Sequence, residues 1–332
     1  MLISDFIVAL PKAELHLHLV GAASLDTVLT LARNHPGGPV PTNVDELRKF
    51  YEFTDFRHFI DVYAKVNDLV TTGEDVTTLV EGLARDAARS NVRYAEVTVS
   101  ATSHLRAGID PEELTEALER GRTTAASHGV ELAWIFDIPG LWDRDFGLTS
   151  ADYAIKYRPA GSVGFGLGGF EADAPRAKFR EAFERARDAG YHCVPHAGET
   201  TPASEIWAAL RDLRAERIGH GASAVTDPAL LKHLADNGIP LEVCPTSNLR
   251  TGVTKSISGH HLPRLLDAGV LVSINTDDPG MFHTDLNHEY LLCHETFGLS
   301  RDELKDLARA AVHASFASTE TKGAILADIA TL

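Results

Sequence analysis

Short apolar runs alternate with amphipathic segments along most of the chain, and this alternation is typical of strands connected by helices. The run at residues 92–99 is rich in β-branched and aromatic residues and predicts a strand. Further on, Asp110 followed by Pro111 predicts the start of a helix, because aspartate caps helix N-termini and proline fits the first turn. The helix predicted from Pro175 ends at Gly190, since glycine favours the left-handed turn that follows a helix.

The alternation continues until eight strands can be counted. The predicted strands cover residues 13–20, 92–99, 131–139, 162–169, 192–198, 217–221, 241–248 and 270–279. Strands that alternate with helices pair in parallel, and this number of them predicts an α/β fold, the closed (β/α)₈ TIM-type barrel. An open, doubly wound sheet is the alternative, but the glycine-rich run at 164–169 does not open a helix in the register of a dinucleotide-binding motif. Because no linker divides the chain, we expect a single barrel domain over residues 1–332.

The segment between the first two predicted strands, residues 24–90, is far longer than a usual crossover. It contains several helical stretches, including one at 55–70. In a barrel, a segment that follows a strand starts at the C-terminal face, where the active sites of this fold are built. We therefore expect residues 24–90 to form a helical lid over that face.

Two histidines stand one residue apart in the run ELHLHL at residues 14–19. Because side chains of a strand alternate between its faces, His16 and His18 point one way while the leucines point the other. Two imidazoles directed at one point have the geometry of metal ligands, although buried histidines also serve in cores with backbone partners. The choice depends on whether other strands bring further ligands to the same place.

Polar side chains also lie at the C-terminal ends of other predicted strands, and in a barrel these ends converge on one mouth. They are His196 and Glu199 after the fifth strand, His220 after the sixth, and Asp277 and Asp278 after the eighth. Several strands that deliver histidine or aspartate to one rim favour a metal site over isolated core histidines. Nitrogen and oxygen ligands without a thiolate favour zinc or a similar divalent ion.

Charge and cysteine content restrict the partners and the compartment. The 332 residues carry a formal net charge of −16, whereas nucleic acid and anionic membranes require a basic face, so neither is an expected partner. The 3 cysteines are too scattered for a disulfide framework or a thiolate metal site. The N-terminal apolar stretch contains Asp5, has no positive region or cleavage site before or after it, and is too short to span a bilayer. We therefore expect a cytoplasmic protein.

Five motifs carry a resemblance to a known family. They are, in chain order, PKAELHLHL at 11–19, HAGE at 196–199, RIGHG at 217–221, CPTSN at 244–248 and NTDDP at 275–279. Together they resemble the adenosine deaminase family of the amidohydrolase superfamily, over a range from Pro11 to about Tyr290. The resemblance implies a zinc-dependent barrel enzyme that removes the 6-amino group of a purine nucleoside by hydrolysis, with the nucleoside and water as its partners.

The resemblance also implies a role for each matching residue. One zinc ion per chain would be held by His16, His18, His196 and Asp277, and it would activate a water molecule for attack at C6 of the purine. His220 would orient that nucleophile, Glu199 would donate a proton to N1, Asp278 would share a proton with N7, and the backbone of Gly169 would lie against N3. Glu199 and Asp278 have the alternative role of supporting a ligand histidine. Five further residues are interpreted as structural: Cys244, Ser247, Asn248, Asp285 and Glu289.

Two positions depart from the family pattern and concern the substrate. Adenosine deaminases have an aspartate two residues after the second histidine, where it holds the ribose 5′-hydroxyl; this chain has Val20, and Phe170 also replaces a usual aspartate. Because valine cannot hydrogen-bond a hydroxyl, Val20 is interpreted as a substrate contact for an apolar 5′ group. The stretch HLVGAAS resembles actinobacterial deaminases of 6-aminodeoxyfutalosine in menaquinone biosynthesis, whose 5′ carbon bears an aryl ketone. Arg57, Lys65 and Arg106 are cations available for a substrate carboxylate, and the sequence does not choose among them.

Other functions remain open alternatives. Adenosine is the second candidate substrate, followed by adenine, which is less favoured because adenine deaminases tend to carry glutamate at the position of Val20. A catalytically silent barrel that binds nucleosides would not need both the ligand set and Glu199. Amidohydrolases that act on esters or amides often carry a carboxylated lysine between two metals, and no lysine stands at a corresponding predicted strand end.

Overall fold

The computed structural model describes residues 2–139, 144–172 and 174–332. Within these residues, 8 parallel strands form one sheet in which each strand pairs with the next along the chain. They are β1 (Lys12–His18), β2 (Val92–Val99), β3 (Glu131–Pro139), β4 (Ser162–Gly168), β5 (His192–Ala197), β6 (Ile218–His220), β7 (Leu241–Val243) and β8 (Val272–Ile274). A bridge between Leu17 and Asp277 joins the two ends of the sheet. The predicted (β/α)₈ barrel is confirmed.

The junction between β1 and β8 is closed by the residues that follow β8 rather than by the strand itself. The amide of Asp277 donates to the carbonyl of His16 at 3.1 Å, and the amide of His18 donates to the carbonyl of Asp277 at 3.0 Å. Below this bridge, the side-chain oxygen of Asn275 accepts from the amide of Leu15 at 2.8 Å. The backbone of Asp277 therefore completes the barrel next to both histidines of β1.

Helices surround the barrel in the order expected from the alternating pattern. The α-helices of the described residues are α1 (Ile3–Ala9), α2 (Leu25–Asn34), α3 (Val44–Phe50), α4 (Phe56–Asn67), α5 (Gly73–Arg89), α6 (Ala101–Arg106), α7 (Pro111–Ser127), α8 (Arg144–Tyr157), α9 (Arg180–Asp188), α10 (Ala203–Asp212), α11 (Pro228–Asn237), α12 (Pro245–Arg250), α13 (Leu262–Asp267), α14 (Pro279–Phe282), α15 (Leu286–Phe297), α16 (Arg301–Ala314) and α17 (Thr319–Ala330). The carboxylate of Asp110 accepts from the amide of Glu112 at 2.9 Å, which confirms the predicted start of α7. None of these helices combines the length and the apolar character needed to cross a bilayer.

The long segment between β1 and β2 divides into parts with different positions. Helix α5 packs against α7 and β2 on the outside of the barrel, as a crossover helix does. Helix α4 instead lies at the mouth, where the rings of Phe59 and Phe282 are 4.9 Å apart and Phe56 is 5.3 Å from Phe170. Within residues 24–90, α4 is thus the helix that covers the site.

The seventh strand is shorter than predicted. The prediction extended it to residue 248, but β7 ends at Val243 and α12 begins at Pro245. Proline fixes φ near the helical value and lacks an amide proton, so it fits the first turn of a helix and interrupts a central strand. The prediction was wrong for residues 244–248, and this turn into α12 brings Ser247 and Asn248 to the mouth of the barrel.

Candidate active site

Four side chains from three parts of the barrel meet at its C-terminal mouth. His16 and His18 come from β1, His196 from β5 and Asp277 from the loop after β8, and one ligand atom of each lies within 4.8 Å of the others. Nε2 of His18 is 3.2 Å from Nε2 of His196 and 3.2 Å from Oδ1 of Asp277. Among the described residues, buried Nε2 of His16 has no hydrogen-bond partner and lies 3.2 Å from the same carboxylate oxygen. Three imidazoles and one carboxylate that converge in this way fit a single divalent metal ion.

The backbone around the cluster adopts conformations that bring these side chains close together. His220 and Asp277 have φ of 59° and 67°, a left-handed conformation that non-glycine residues rarely adopt and that is found most often at functional sites. A Cβ at Gly219 would lie 2.9 Å from Cε1 of His16, and a Cβ at Gly21 would lie 1.6 Å from Oδ1 of Asp278. Both glycines are therefore required by close approach to the site.

A buried ionic network supports His16 from below. Nδ1 of His16 donates to Oε2 of Glu242 at 2.7 Å, and the other oxygen of Glu242 accepts from Arg217, which also donates to Glu96. Burial disfavours the charged imidazole of His16, but the carboxylates of Asp277 and Glu242 outweigh it and raise the pKa of His16 to about 10. Sequence analysis did not identify Arg217, Glu242 or Glu96. The available signal was a charged residue inside two apolar strand runs, Glu96 in β2 and Glu242 in β7, and one directly before a third, Arg217 ahead of β6.

A chain of hydrogen bonds fixes the proton position on His220. The amide of Leu262 donates to Nδ1 of His260, Nε2 of His260 donates to Oδ1 of Asn248, and Nδ2 of Asn248 donates to Nδ1 of His220. Since Nδ1 of His220 accepts, its Nε2 carries the proton and can donate it into the site. Burial and the neighbouring His16 lower the pKa of His220 to about 3, so the ring stays neutral.

Glu199 and Asp278 are buried carboxyl groups beside the cluster. Oε2 of Glu199 lies 3.7 Å from Nε2 of His220, and among the described residues no hydrogen bond joins Glu199 to a histidine of the cluster. Burial, followed by the charge of Asp277, raises the pKa of Glu199 well above its usual range. The same two causes raise the pKa of Asp278, and its Oδ1 has no partner among the described residues. Both groups are thus suited to donate a proton.

A cavity of about 410 Å³ opens above these groups, a size typical of small-molecule sites. Its floor contains His18, His196, Glu199, His220, Asp277 and Asp278, and its walls include Gly169 and Phe170. Val20 is not among the described residues that line it; its side chain is 3% exposed and belongs to the hydrophobic core. The physical reason is that β1 ends at His18 and the chain then turns, with the amide of Ala22 bonded to the carbonyl of His18 at 2.8 Å. Strand alternation therefore does not extend to Val20.

The residues interpreted as structural occupy supporting positions. Oγ of Ser247 donates to Oδ2 of Asp277 at 2.6 Å, Asp285 caps α15, and Glu289 accepts from the amide of Thr246 at 3.1 Å. Cys244 is near His16, His220 and Asp277 and offers a second potential set of ligands. However, burial and nearby carboxylates raise the pKa of its thiol well above the usual range, and the thiol donates to the carbonyl of Glu242 at 3.7 Å.

Comparison with known proteins agrees with this geometry. The family model for adenosine deaminase matches residues 11–332, beyond the range of the five motifs. Aminodeoxyfutalosine deaminase of Streptomyces avermitilis is 48% identical over 334 residues, covering 98% of this chain and 92% of that protein. Among solved structures, adenine deaminase of Arthrobacter aurescens matches with a TM-score of 0.92 at 31% identity, over 97% of this chain and 98% of that one. An amidohydrolase of Burkholderia ambifaria with bound zinc matches with a TM-score of 0.91 at 28% identity, over 99% and 92% of the two chains. The chain therefore belongs to the adenosine deaminase family, and it is a hydrolytic deaminase.

Proposed function

We propose that this protein removes the 6-amino group of 6-aminodeoxyfutalosine by hydrolysis, a reaction of menaquinone biosynthesis, with one zinc ion per chain. The observation that carries the proposal is a four-residue ligand cluster beside the buried acid Glu199, on the floor of a cavity with apolar outer walls. The relative that is 48% identical over 98% of this chain bears the name of that activity. Adenosine and adenine are the alternative substrates.

The proposed zinc ligands are His16, His18, His196 and Asp277. Their nitrogen and oxygen donors suit zinc, and the Burkholderia relative contains this metal. When bound, zinc lowers the pKa of a coordinated water so that a nucleophile is available near neutral pH.

The remaining residues act on the purine ring and on the attacking water. Glu199 donates its proton to N1, which makes C6 more electrophilic, while Nε2–H of His220 donates to the water oxygen and orients it. The oxygen bonds to C6 and the C6–N bond breaks. One proton of the water leaves with the ammonia and the other restores Glu199, while the proton given to N1 remains in the product. Asp278 binds N7 and the backbone of Gly169 binds N3, which holds the ring in place.

The outer cavity supports a nucleoside with a large 5′ substituent. Helix α4 lines it with Phe56, Phe59, Ile60 and Tyr63, which are apolar or aromatic. An aryl ketone chain buries apolar area against such a wall, whereas adenine alone would leave the wall uncovered.

The decisive experiment compares kcat/KM for 6-aminodeoxyfutalosine, 5′-methylthioadenosine, adenosine and adenine, together with zinc content. Deamination is followed as the loss of adenine-type absorbance. We expect the highest kcat/KM for 6-aminodeoxyfutalosine and one zinc per chain. A preference for adenosine or adenine would replace the proposed substrate, and no deamination of any purine by the zinc-loaded protein would favour the silent barrel.

A further inference from the structure

Besides α4, the cavity has a second wall that none of the proposed roles uses. It is formed by α6 and the residues at its two ends. Ser100 precedes the helix, Ser103 and Arg106 lie on it, and Ala107 follows it. Residues three apart on a helix share a face, so these side chains form one continuous strip. Oγ of Ser100 donates to Oδ1 of Asp137 at 2.6 Å, which fixes the beginning of the strip at the ends of the barrel strands. With a rise of 1.5 Å per residue, Arg106 lies about 9 Å farther along the helix axis.

Arg106 is distinguished from the other cations near the site by its position. Among the described residues that line the cavity, it is the one lysine or arginine. Arg57 and Lys65 do not line it: the guanidinium of Arg57 lies 6.0 Å from the ring of Phe170, and the ammonium of Lys65 lies 5.7 Å from the ring of Phe50. The guanidinium of Arg106 lies 5.7 Å from the ring of Phe146 on α8.

The charges of the cavity make one direction favourable for an anionic ligand group. Four acidic residues are buried in its inner part: Asp137, Glu199, Asp277 and Asp278. An anionic group placed there would lose its hydration with no lysine or arginine of the described lining beside it, whereas a group near Arg106 would meet the opposite charge. The remaining acidic residue of the described lining, Asp68, is exposed at the end of α4, where solvent screens it. A substrate that binds its purine at the floor must therefore direct an anionic end towards the end of α6.

We propose that Arg106 determines specificity by binding the carboxylate at the far end of the substrate, while the aromatic face of α4 packs against the aryl ring that carries it. This inference rests on the proposed function, because it assigns a site to the carboxylate on the aryl ketone arm of 6-aminodeoxyfutalosine. Guanidinium binds carboxylate through paired hydrogen bonds, so position and orientation of the arm are both fixed.

The test compares Arg106→Leu and Arg106→Lys with wild type, and Arg57→Leu is the matched control for loss of an exposed cation beside the cavity. Each protein is assayed with 6-aminodeoxyfutalosine and with the analogue in which hydrogen replaces the carboxylate. Because Arg106 is exposed, Arg106→Leu should reduce kcat/KM for the natural substrate by roughly 5- to 50-fold, mainly through KM, and leave the analogue within about twofold. Arg106→Lys should recover part of the loss, since it keeps the charge without the paired geometry. Arg57→Leu should match wild type on both substrates.

The outcomes separate this inference from the proposed function. An equal loss on both substrates in Arg106→Leu, or the selective loss appearing in Arg57→Leu instead, overturns the role of Arg106 while the deaminase activity on 6-aminodeoxyfutalosine still stands. If wild type deaminates adenosine or adenine but not 6-aminodeoxyfutalosine, the proposed function is wrong and the inference falls with it.

Discussion

The substitution Glu242→Gln tests whether the buried network beneath the cluster controls metal binding. In the structure, one oxygen of Glu242 accepts from Nδ1 of His16 at 2.7 Å and the other accepts from Arg217. Glutamine keeps the shape but offers one acceptor and one amide donor, so a donor must face either His16 or Arg217. Because Arg217 stays charged and can only donate, the glutamine oxygen faces Arg217 and the amide faces His16, which loses the partner that orients its ring and makes Nε2 a better ligand.

The expected size of the effect follows from the burial of the network. The side chains of Arg217, Glu96 and Glu242 are 0–2% exposed. Removal of one carboxylate therefore leaves the charge of Arg217 with one counter-ion fewer and without solvent to replace it. Breaking a buried pair costs about 3–5 kcal/mol, and we take about 3 kcal/mol because Arg217 keeps Glu96. For 332 residues this corresponds to a fall in Tm of roughly 4 °C. Loss of the carboxylate behind a ligand histidine should weaken zinc binding by about 10- to 100-fold.

The assay is competition for zinc against a chelator of known affinity, with thermal unfolding measured on the same samples. Glu96→Gln is the matched control, because it removes a carboxylate from the same arginine without touching His16. We expect both variants to unfold at lower temperature and only Glu242→Gln to bind zinc more weakly. Equal weakening in both variants would mean that zinc loss follows general destabilisation. Unchanged zinc affinity in Glu242→Gln would refute the support role directly.

Three further substitutions test two residues on the floor of the cavity and the position of Val20. His196→Ala should purify with much less than one zinc per chain and no activity, because three ligands hold the ion less well than four, and metal analysis of wild type prepared in parallel is the control. Glu199→Gln should keep zinc and reduce kcat by a factor on the order of 10²–10⁴ through loss of the N1 proton donor; zinc loss in this variant would instead indicate a ligand-supporting role. Val20→Asp should lower Tm and reduce kcat/KM for adenosine and 6-aminodeoxyfutalosine to a similar degree, because the new carboxylate would be buried in the core. A gain on adenosine of about 10- to 150-fold with a loss on the other substrate would show that residue 20 reaches the 5′ position.

The sequence predicted the residues at the mouth of the barrel because their positions depend on strands alone. His16 and His18 share a face through alternation, and His196, His220 and Asp277 stand where parallel strands end together. Neither argument needs knowledge of side-chain packing. The interpretation of Val20 came from the family pattern instead; in the structure β1 ends two residues earlier, at His18, and Val20 packs in the core.

The supporting residues could not be predicted because their partners are distant in sequence. Arg217 contacts Glu96, 121 positions away, and Glu242, 25 positions away. From hydrophobic periodicity alone, each of these residues is only a charge within or beside an apolar run. His260 orients His220 only through Asn248, whose position depends on the unpredicted turn into α12. Likewise, the choice of Arg106 over Arg57 depends on which side chains of α4 and α6 line the cavity, and helix periodicity alone does not determine this.

Asp277 connects the closure of the barrel to the chemistry at its mouth. Its backbone bonds to His16 and His18 across the junction of β1 and β8, and its carboxylate lies among the ligand atoms of the same two histidines. A change at Asp277 would therefore disturb barrel closure and ligand set together, and a loss of activity could not be assigned to either. His196 has no such double role, because its strand β5 pairs regularly with β4 and β6 on its two sides. Replacement of His196 thus removes a proposed metal ligand without removing a backbone contact that closes the barrel, and it is the clearer test of the metal-binding proposal.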